Sequence, residues 1–246
     1  YRVTNSTGNS VVHDPHSYFW QTTDFEPPSW NNTVIYELHL GTFAGGILQA
    51  INKLDYLSNL GINTIELMPL WEFAGGSSWG YNGAHPFAIE SSYGRPNDLK
   101  RFVDEAHERG IAVLLDVLYN HWGPTDMSVW QYDGWSENGL GGVYFYNDWR
   151  AETPWGDTRP DYGRDEVRQY IRDNSLYWLT EYRLDGLRVD GTKWIRTTND
   201  GGIELPDGWS LLQWINDEID VYDSSKLIIC EDLAANDWMT KSTGEG

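Results

Sequence analysis

Apolar residues fall into short continuous runs separated by stretches that carry a helical stripe, and this alternation sets the fold class. Val34 to Phe43 reads as a first strand. Ile47, Ile51, Leu54, Leu57 and Leu60 then mark one face of a helix that Gly61 stops. Ile62 to Leu70 reads as a second strand, and Leu99, Phe102, Val103 and Ala106 give a helical face with Pro96-Asn97 as its cap and Gly110 beyond its end. Ile111 to Leu118 is a third, nearly continuous apolar strand. After a break, Val167, Tyr170, Ile171 and Trp178 restart a helical stripe, Leu184 to Asp190 is a fourth strand, Leu211, Leu212, Ile215 and Ile219 form a helix, and Leu227 to Glu231 is a fifth strand.

Strands that are apolar on both faces and alternate with single helices predict a parallel sheet, either doubly wound or closed as a (β/α)8 barrel. No Gly-x-Gly-x-x-Gly turn follows the first strand, where a dinucleotide fold needs it. Polar residues gather instead at strand C-terminal ends: Asp116 with Asn120 and His121, Arg188 with Asp190, and Glu231 with Asp232. Barrel enzymes place their chemistry there, so the expectation is an α/β (β/α)8 TIM barrel with about its first five βα units present. Residues 1–33, rich in Asn, Ser, Thr and Pro, read as an extended lead-in or linker from a preceding domain, and 34–246 as the partial catalytic barrel. Within it, 119–163 is too long for an ordinary connection and reads as an inserted subdomain after the third strand.

Composition narrows the ligand. A formal net charge of -20 disfavours nucleic acid and anionic membrane surfaces as partners but leaves a neutral ligand unopposed. No apolar run is long enough to span a bilayer. Trp 14 and Tyr 15 form a heavy aromatic load, and aromatic faces suit the apolar C–H faces of sugar rings, although most such rings are expected in the core. The single cysteine, Cys230, excludes an internal disulfide and sits in an apolar run that predicts a buried, inert thiol. The sequons at Asn5 and Asn31 carry no weight, the absence of Met at Tyr1 implies a missing or removed start, and localisation is left unassigned.

Arg188 and Asp190 lie two apart on one strand and so share a face. A guanidinium there favours an ionised carboxylate, as a nucleophile requires, whereas Glu231 follows Ile228, Ile229 and Cys230, surroundings that tend to raise a carboxyl's pKa and suit a proton donor. Two carboxyls with contrasting environments are the glycosidase pattern. Adjacent parallel strands stand about 4.8 Å apart, which predicts the narrow, retaining spacing and a covalent glycosyl-enzyme on Asp190. Taken alone, Arg188 and Asp190 read more often as a buried structural ion pair, and Glu231 as a strand-end residue meeting a helix cap.

Three motifs in order carry a specific resemblance. Asp116-Val-Leu-Tyr-Asn-His121 closely resembles the first conserved region of glycoside hydrolase family 13, the α-amylase family; Gly186-Leu-Arg-Val-Asp190 resembles the second and Ile229-Cys-Glu-Asp-Leu233 the third. Val34-Ile-Tyr-Glu-Leu-His-Leu-Gly-Thr-Phe43, Glu66-Leu-Met-Pro69 and Trp79-Gly-Tyr-Asn-Gly83 are similar to stretches of branching-enzyme and trehalohydrolase relatives. The resemblance implies Asp190 as nucleophile and Glu231 as acid/base. It implies Arg188 as the group holding Asp190 ionised, His121 on sugar hydroxyls, Tyr81 stacked beneath the sugar, Lys193 in substrate binding, and Asp116 as a support acting through Arg188. The 119–163 segment would be the inserted B-type subdomain that walls the cleft.

Trp194 departs from the family, whose members commonly carry His at that position, so the leaving-group side is left open. Asn120 matches a calcium ligand of many members, but calcium takes six to eight oxygens, and no cofactor is expected to be required. No counterpart of the fourth conserved region, with its third catalytic carboxylate, follows Glu231. The remainder of the barrel is therefore expected from a longer chain, and these 246 residues alone are expected to be inactive. The function implied is a retaining α-glucan hydrolase acting on α-1,4-glucosidic bonds of starch- or glycogen-like substrates. A 1,4-α-glucan branching transglycosylase and a non-catalytic glucan-binding protein are the alternatives.

Overall fold

The computed structural model describes residues 2–245. Strand β1 (Ile35–Leu38) runs into a helical turn, α1 (Leu40–Phe43), and two short helices, α2 (Ile47–Ile51) and α3 (Leu54–Leu60), before β2 (Thr64–Leu67). A hairpin of β3 (Trp71–Phe73) and β4 (Gly83–Ile89) precedes α4 (Pro96–Glu108) and β5 (Ala112–Val117). Beyond the long excursion come α5 (Asp165–Glu181), β6 (Gly186–Val189), α6 (Thr192–Arg196), the ribbon β7 (Thr197–Thr198) and β8 (Ile203–Glu204), α7 (Pro206–Asp223) and β9 (Leu227–Cys230).

The five strands expected from the sequence form one parallel sheet in the order β1-β2-β5-β6-β9. Each new strand adds beside the last, with no reversal of order. A doubly wound sheet reverses at a switch point, so this order is that of an arc of a barrel. Alternate residues divide the faces. Ile65, Leu67, Val113, Leu115, Val117, Leu187 and Val189 enter the apolar core against the helices. Glu37, Glu66, Asp116 and Arg188 share the opposite face, because Glu37 pairs with Glu66 and Asp116 with Arg188 in register.

Helix α4 follows its predicted stripe closely: Leu99, Phe102, Val103 and Ala106 are all buried, Pro96 sits in its first turn, and the Asp98 carboxylate accepts the Arg95 backbone N–H at 2.8 Å. Other boundaries differ from the pattern. The first strand stops at Leu38 because His39 caps a helical turn, its Nδ1 accepting the Thr42 N–H at 3.2 Å. The stripe from Ile47 to Leu60 breaks into two helices around Asn52 and Lys53, and Gly61 ends the second in a left-handed conformation. The β3–β4 hairpin escapes the pattern altogether, because Trp71–Phe73 continues the apolar run of the second strand without a break.

The stretch 15–25 of the lead-in is tied to α4. Buried Asp104 accepts the Tyr18 hydroxyl at 2.8 Å and the backbone N–H groups of Gln21 at 2.9 Å and Thr22 at 2.8 Å, while Lys100 donates to the Pro15 carbonyl at 2.7 Å. The 119–163 segment lacks long elements but packs Trp122, Phe145, Tyr146 and Tyr162 inside. Buried Arg159 anchors it, donating to the carbonyls of Arg150 at 2.6 Å, Glu152 at 2.7 Å and Thr197 at 3.1 Å.

The hairpin carries a second buried acidic pair. Glu72 and Glu90 are 2% and 3% exposed. The Glu72 carboxylate accepts the Ser91 N–H at 2.7 Å, and that of Glu90 accepts the Ser92 N–H at 3.0 Å. Burial, and then the neighbouring Glu90, push Glu72 up to about 7. A carboxyl raised on folding contributes stability that is complete below its unfolded pKa and lost as pH climbs through the folded value. Thermal melts are therefore expected to fall between pH 5 and pH 8 by an amount worth about 2–3 kcal/mol for this group, and Glu72→Gln is expected to flatten that fall.

Candidate active site

The register of β5, β6 and β9 brings the charged groups together. Asp116 is paired with Arg188, and Val189 with Cys230, so the next residues, Asp190 and Glu231, stand side by side just past the strand ends. The ladder continues there, with the Glu231 N–H donating to the Val189 carbonyl at 3.0 Å and the Thr192 N–H to the Glu231 carbonyl at 2.9 Å.

Arg188 is the hub. Its Nη1 donates to Asp116 Oδ2 at 2.7 Å and to Asp190 Oδ1 at 2.6 Å, and its Nη2 meets Glu231 Oε1 at 2.9 Å. Burial works against the guanidinium charge, but Asp116 and Asp190 outweigh it and hold Arg188 well above its ordinary value. One fork thus holds the nearest oxygens of Asp190 and Glu231 within about 8 Å of each other on a single face of the sheet. The side-by-side strand positions favour the narrow end of that range, about 5 Å.

Each acid has a second donor. The Asn120 amide donates to both the Asp190 carbonyl and its Oδ2, at 2.7 Å each, and the Gly191 N–H donates to Glu231 Oε2 at 3.0 Å. Gly191 has φ of +51°, and a Cβ there would lie 2.6 Å from the Asn120 amide nitrogen, so both its backbone and its size matter. The apolar surroundings expected for Glu231 are replaced at the carboxylate itself by a cation and an N–H. The apolar side chains of β9 lie behind it. Burial pushes the Cys230 thiol up to about 11.

Asp116 is fully buried. Its Oδ2 also accepts the Tyr81 hydroxyl at 2.7 Å, and its Oδ1 is buried without a hydrogen-bond partner among the described residues. Burial pushes this carboxyl up to about 8, Arg188 acting against the rise. Burial, then Asp116, also lift the Tyr81 phenol well above its usual range. Gly80 with φ of +98° turns the chain so that Tyr81 reaches inward.

His121 is 2% exposed, and its Nε2 lies 3.0 Å from the Tyr81 carbonyl, while Nδ1 faces the Asn120 side-chain oxygen. Burial pushes its pKa down to about 4. Both ring nitrogens thus have protein neighbours, and a sugar hydroxyl would have to share or displace one of them.

Lys193 stands apart from this cluster, its ammonium on Asp200 at 2.8 Å and over the Trp194 ring at 4.9 Å. Two groups of the site, Trp155 and the Glu66–Glu37 pair, escaped the sequence reading, and Asn120, noted there only as a strand-end residue matching a calcium ligand, has a different task. Trp155 stacks on the His121 ring at 4.7 Å and meets Trp194 edge-on at 5.9 Å, Asn120 positions Asp190, and Glu66 with Glu37 brings carboxylate oxygens within 4.8 Å of Asp116. A glutamate inside the apolar run Thr64–Leu67 was the legible signal for the last of these. Those three carboxylates are the group among the described residues that could hold a metal ion, although calcium takes six to eight oxygens. The amide of Asn120 is already engaged with Asp190. A concavity of about 1270 Å³ between residues 18–28 and α4 is lined by none of these groups.

The catalytic-domain model of alpha amylase matches residues 4–138, more than half of the chain. The chain belongs to the alpha-amylase family. That match contains Tyr81, Asp116 and His121 and ends before Asp190 and Glu231. A malto-oligosyltrehalose trehalohydrolase of Rhizobium sp. (strain M-11) is 42% identical over 74% of this chain and 29% of its own length. The 1,4-alpha-glucan branching enzyme GlgB of Pseudoalteromonas atlantica is 31% identical over 96% of this chain and 36% of its own. A Salmonella typhimurium protein solved at 1.4 Å and assigned as an alpha amylase superposes with a TM-score of 0.79 and 38% identity, covering 92% of this chain and 36% of that one. A pullulanase of Anoxybacillus sp. LM18-11, solved with maltotriose, shares the fold at a TM-score of 0.76 and 24% identity, covering 94% and 36%. The chain therefore spans about a third of the length of the relatives it matches.

Within this alpha-amylase scaffold, the Arg188 fork predicts a substitution outcome. Arg188→Lys retains a positive charge but cannot reach Asp116, Asp190 and Glu231 at once. Turnover by the protein that carries this chain is expected to fall by about 10²-fold or more with a smaller change in KM, as steady-state kinetics would show.

Proposed function

We propose that the protein carrying this chain cleaves α-1,4-glucosidic bonds of starch- or glycogen-like glucans with retention of configuration. Asp190 is the nucleophile and Glu231 the acid/base. The observation that carries this reading is the pair of carboxylates in register on neighbouring strands, each held by the same guanidinium and each given its own second donor.

The chemistry follows from that placement. Glu231 gives its proton to the glycosidic oxygen as the bond to the anomeric carbon breaks, and an oxygen of Asp190 bonds to that carbon. Glu231, now the base, takes a proton from an incoming hydroxyl, whose oxygen displaces Asp190. Arg188 and Asn120 each donate to one oxygen of the Asp190 carboxylate, Arg188 to Oδ1 and Asn120 to Oδ2, and so fix its orientation. Tyr81, anchored on Asp116, offers its ring as a floor for the sugar, and Trp155 with Trp194 forms an aromatic wall beside His121.

Whether water or a sugar hydroxyl takes the glycosyl group separates hydrolysis from branching. Hydrolysis is favoured by the malto-oligosyltrehalose trehalohydrolase relatives, five organisms of which match at 37–43% identity. Branching is supported by the 1,4-alpha-glucan branching enzyme match, which reaches across 96% of the chain. Incubation with amylose and with malto-oligosyltrehalose tests both. Hydrolysis is expected to raise reducing ends from amylose or release trehalose from the second substrate. Loss of iodine colour without new reducing ends would overturn hydrolysis in favour of transfer.

The covalent step has its own test. A 2-deoxy-2-fluoro glucosyl fluoride is expected to leave a glycosyl mass on the peptide containing Asp190, and Asp190→Asn to lower kcat by at least about 10³-fold without labelling. Unlabelled Asp190 in a protein that turns over glucan with inversion would overturn the retaining assignment.

A further inference from the structure

Outside the candidate active site, the 119–163 excursion bears a small pocket of about 280 Å³ at the turn Trp149–Ala151. Its indole, Trp149, is 58% exposed. A lone exposed aromatic needs no explanation, but this one stands over a concavity that Leu140 and Ala151 line together with the polar side chains of Asn138, Asp148, Glu152 and Asp157. Asn138 holds its amide nitrogen on the Asn147 carbonyl at 2.8 Å, which leaves its side-chain oxygen as an acceptor. Glu152 and Asp157, also lining the pocket, make no side-chain hydrogen bond or ion pair among the described residues. Asp148 is different, because the Arg150 guanidinium grips both of its oxygens and holds its carboxyl below the usual range.

We propose that this pocket is a second α-glucan site, in which a glucosyl ring stacks on Trp149 while its hydroxyls donate to Asn138, Glu152 and Asp157. An apolar ring face beside several free acceptors, with no free cation among the described residues that line the pocket, matches a neutral polyol with outward O–H donors. It excludes phosphorylated or carboxylated ligands, which Glu152 and Asp157 would repel. The volume lies near the lower end of ligand pockets, which suits a ring or two of a chain rather than an enclosed small molecule. The stretch 149–157 supplies both this pocket and Trp155, the ring that stacks on His121, so binding here would tether polymer to the segment that walls the cleft. The inference rests on the α-glucan reading above.

The test uses the protein that carries this chain, with amylopectin in native affinity gels and a chromogenic maltotrioside in solution. Trp149→Ala is expected to weaken amylopectin retardation by about fivefold and to leave kcat/KM on the maltotrioside within about twofold. Trp149→Phe is expected to restore most of the retardation, and melts of both variants to match the parent. Unchanged retardation of Trp149→Ala, or an equal loss on the maltotrioside, would overturn the second site while leaving the enzymatic reading intact. Binding of spermidine abolished by Trp149→Ala, with amylopectin retardation untouched, would reassign the pocket to a cation. A parent protein that neither retards in amylopectin nor cleaves any α-glucan would remove the functional reading itself, and the second site with it.

Discussion

The Arg188 guanidinium is the interaction on which the candidate site depends. Three carboxylates, from β5, from the end of β6 and from the end of β9, accept from its two terminal nitrogens. Without that cation, Asp116, Asp190 and Glu231 would be like charges crowded in a poorly solvated space, and the strand ends would have to part or the acids take up protons. With it, the same crowding becomes positional precision, because a planar fork fixes direction as well as distance. A buried ion pair of this kind is weak evidence for stability; its value here is geometric.

The fork works because the backbone has already done most of the placement. Period-two alternation sends Glu37, Glu66, Asp116 and Arg188 to one face while the intervening residues pack against helices. Parallel register then sets Asp190 beside Glu231. Two backbone features refine this: Gly191 offers its N–H to Glu231 and leaves room for Asn120, and the excursion after β5 swings Trp155 onto His121. The scaffold is rigid where the acids sit, and the variable part of the site lies on loops, the usual division of labour in a barrel.

Much of this was legible in the sequence, and for a physical reason. Apolar runs such as Ile111–Leu118 and stripes such as Leu99 to Ala106 report burial directly, so the five strands and the longer helices appear where the pattern places them. Arg188 and Asp190 share a face by spacing alone. What stayed hidden depends on contacts between distant segments or on local caps. His39 ends the first strand through its own side chain, Trp71–Phe73 pairs with residues beyond a glycine-rich loop, and Trp155 gains meaning only when folded against His121. Lys193 shows the reverse case: a residue placed in the site by resemblance is drawn toward Asp200, seven positions along the chain.

One guanidinium faces more carboxyls than it can neutralise, and that imbalance shapes how the site holds protons. Glu66, raised by burial, stands near Asp116, itself pushed up to about 8, with Glu37 completing a trio of oxygens within 4.8 Å. Burial disfavours the charged form of both Glu66 and Asp116, whereas Glu37, the third of the trio, is exposed. A proton on Asp116 weakens its claim on Arg188. The guanidinium then acts chiefly on Asp190 and Glu231, the pair proposed as nucleophile and acid/base. Two buried acids raised by their surroundings thus stand on the same face of the sheet behind Asp190 and Glu231, at strand positions where apolar side chains would pack at lower cost.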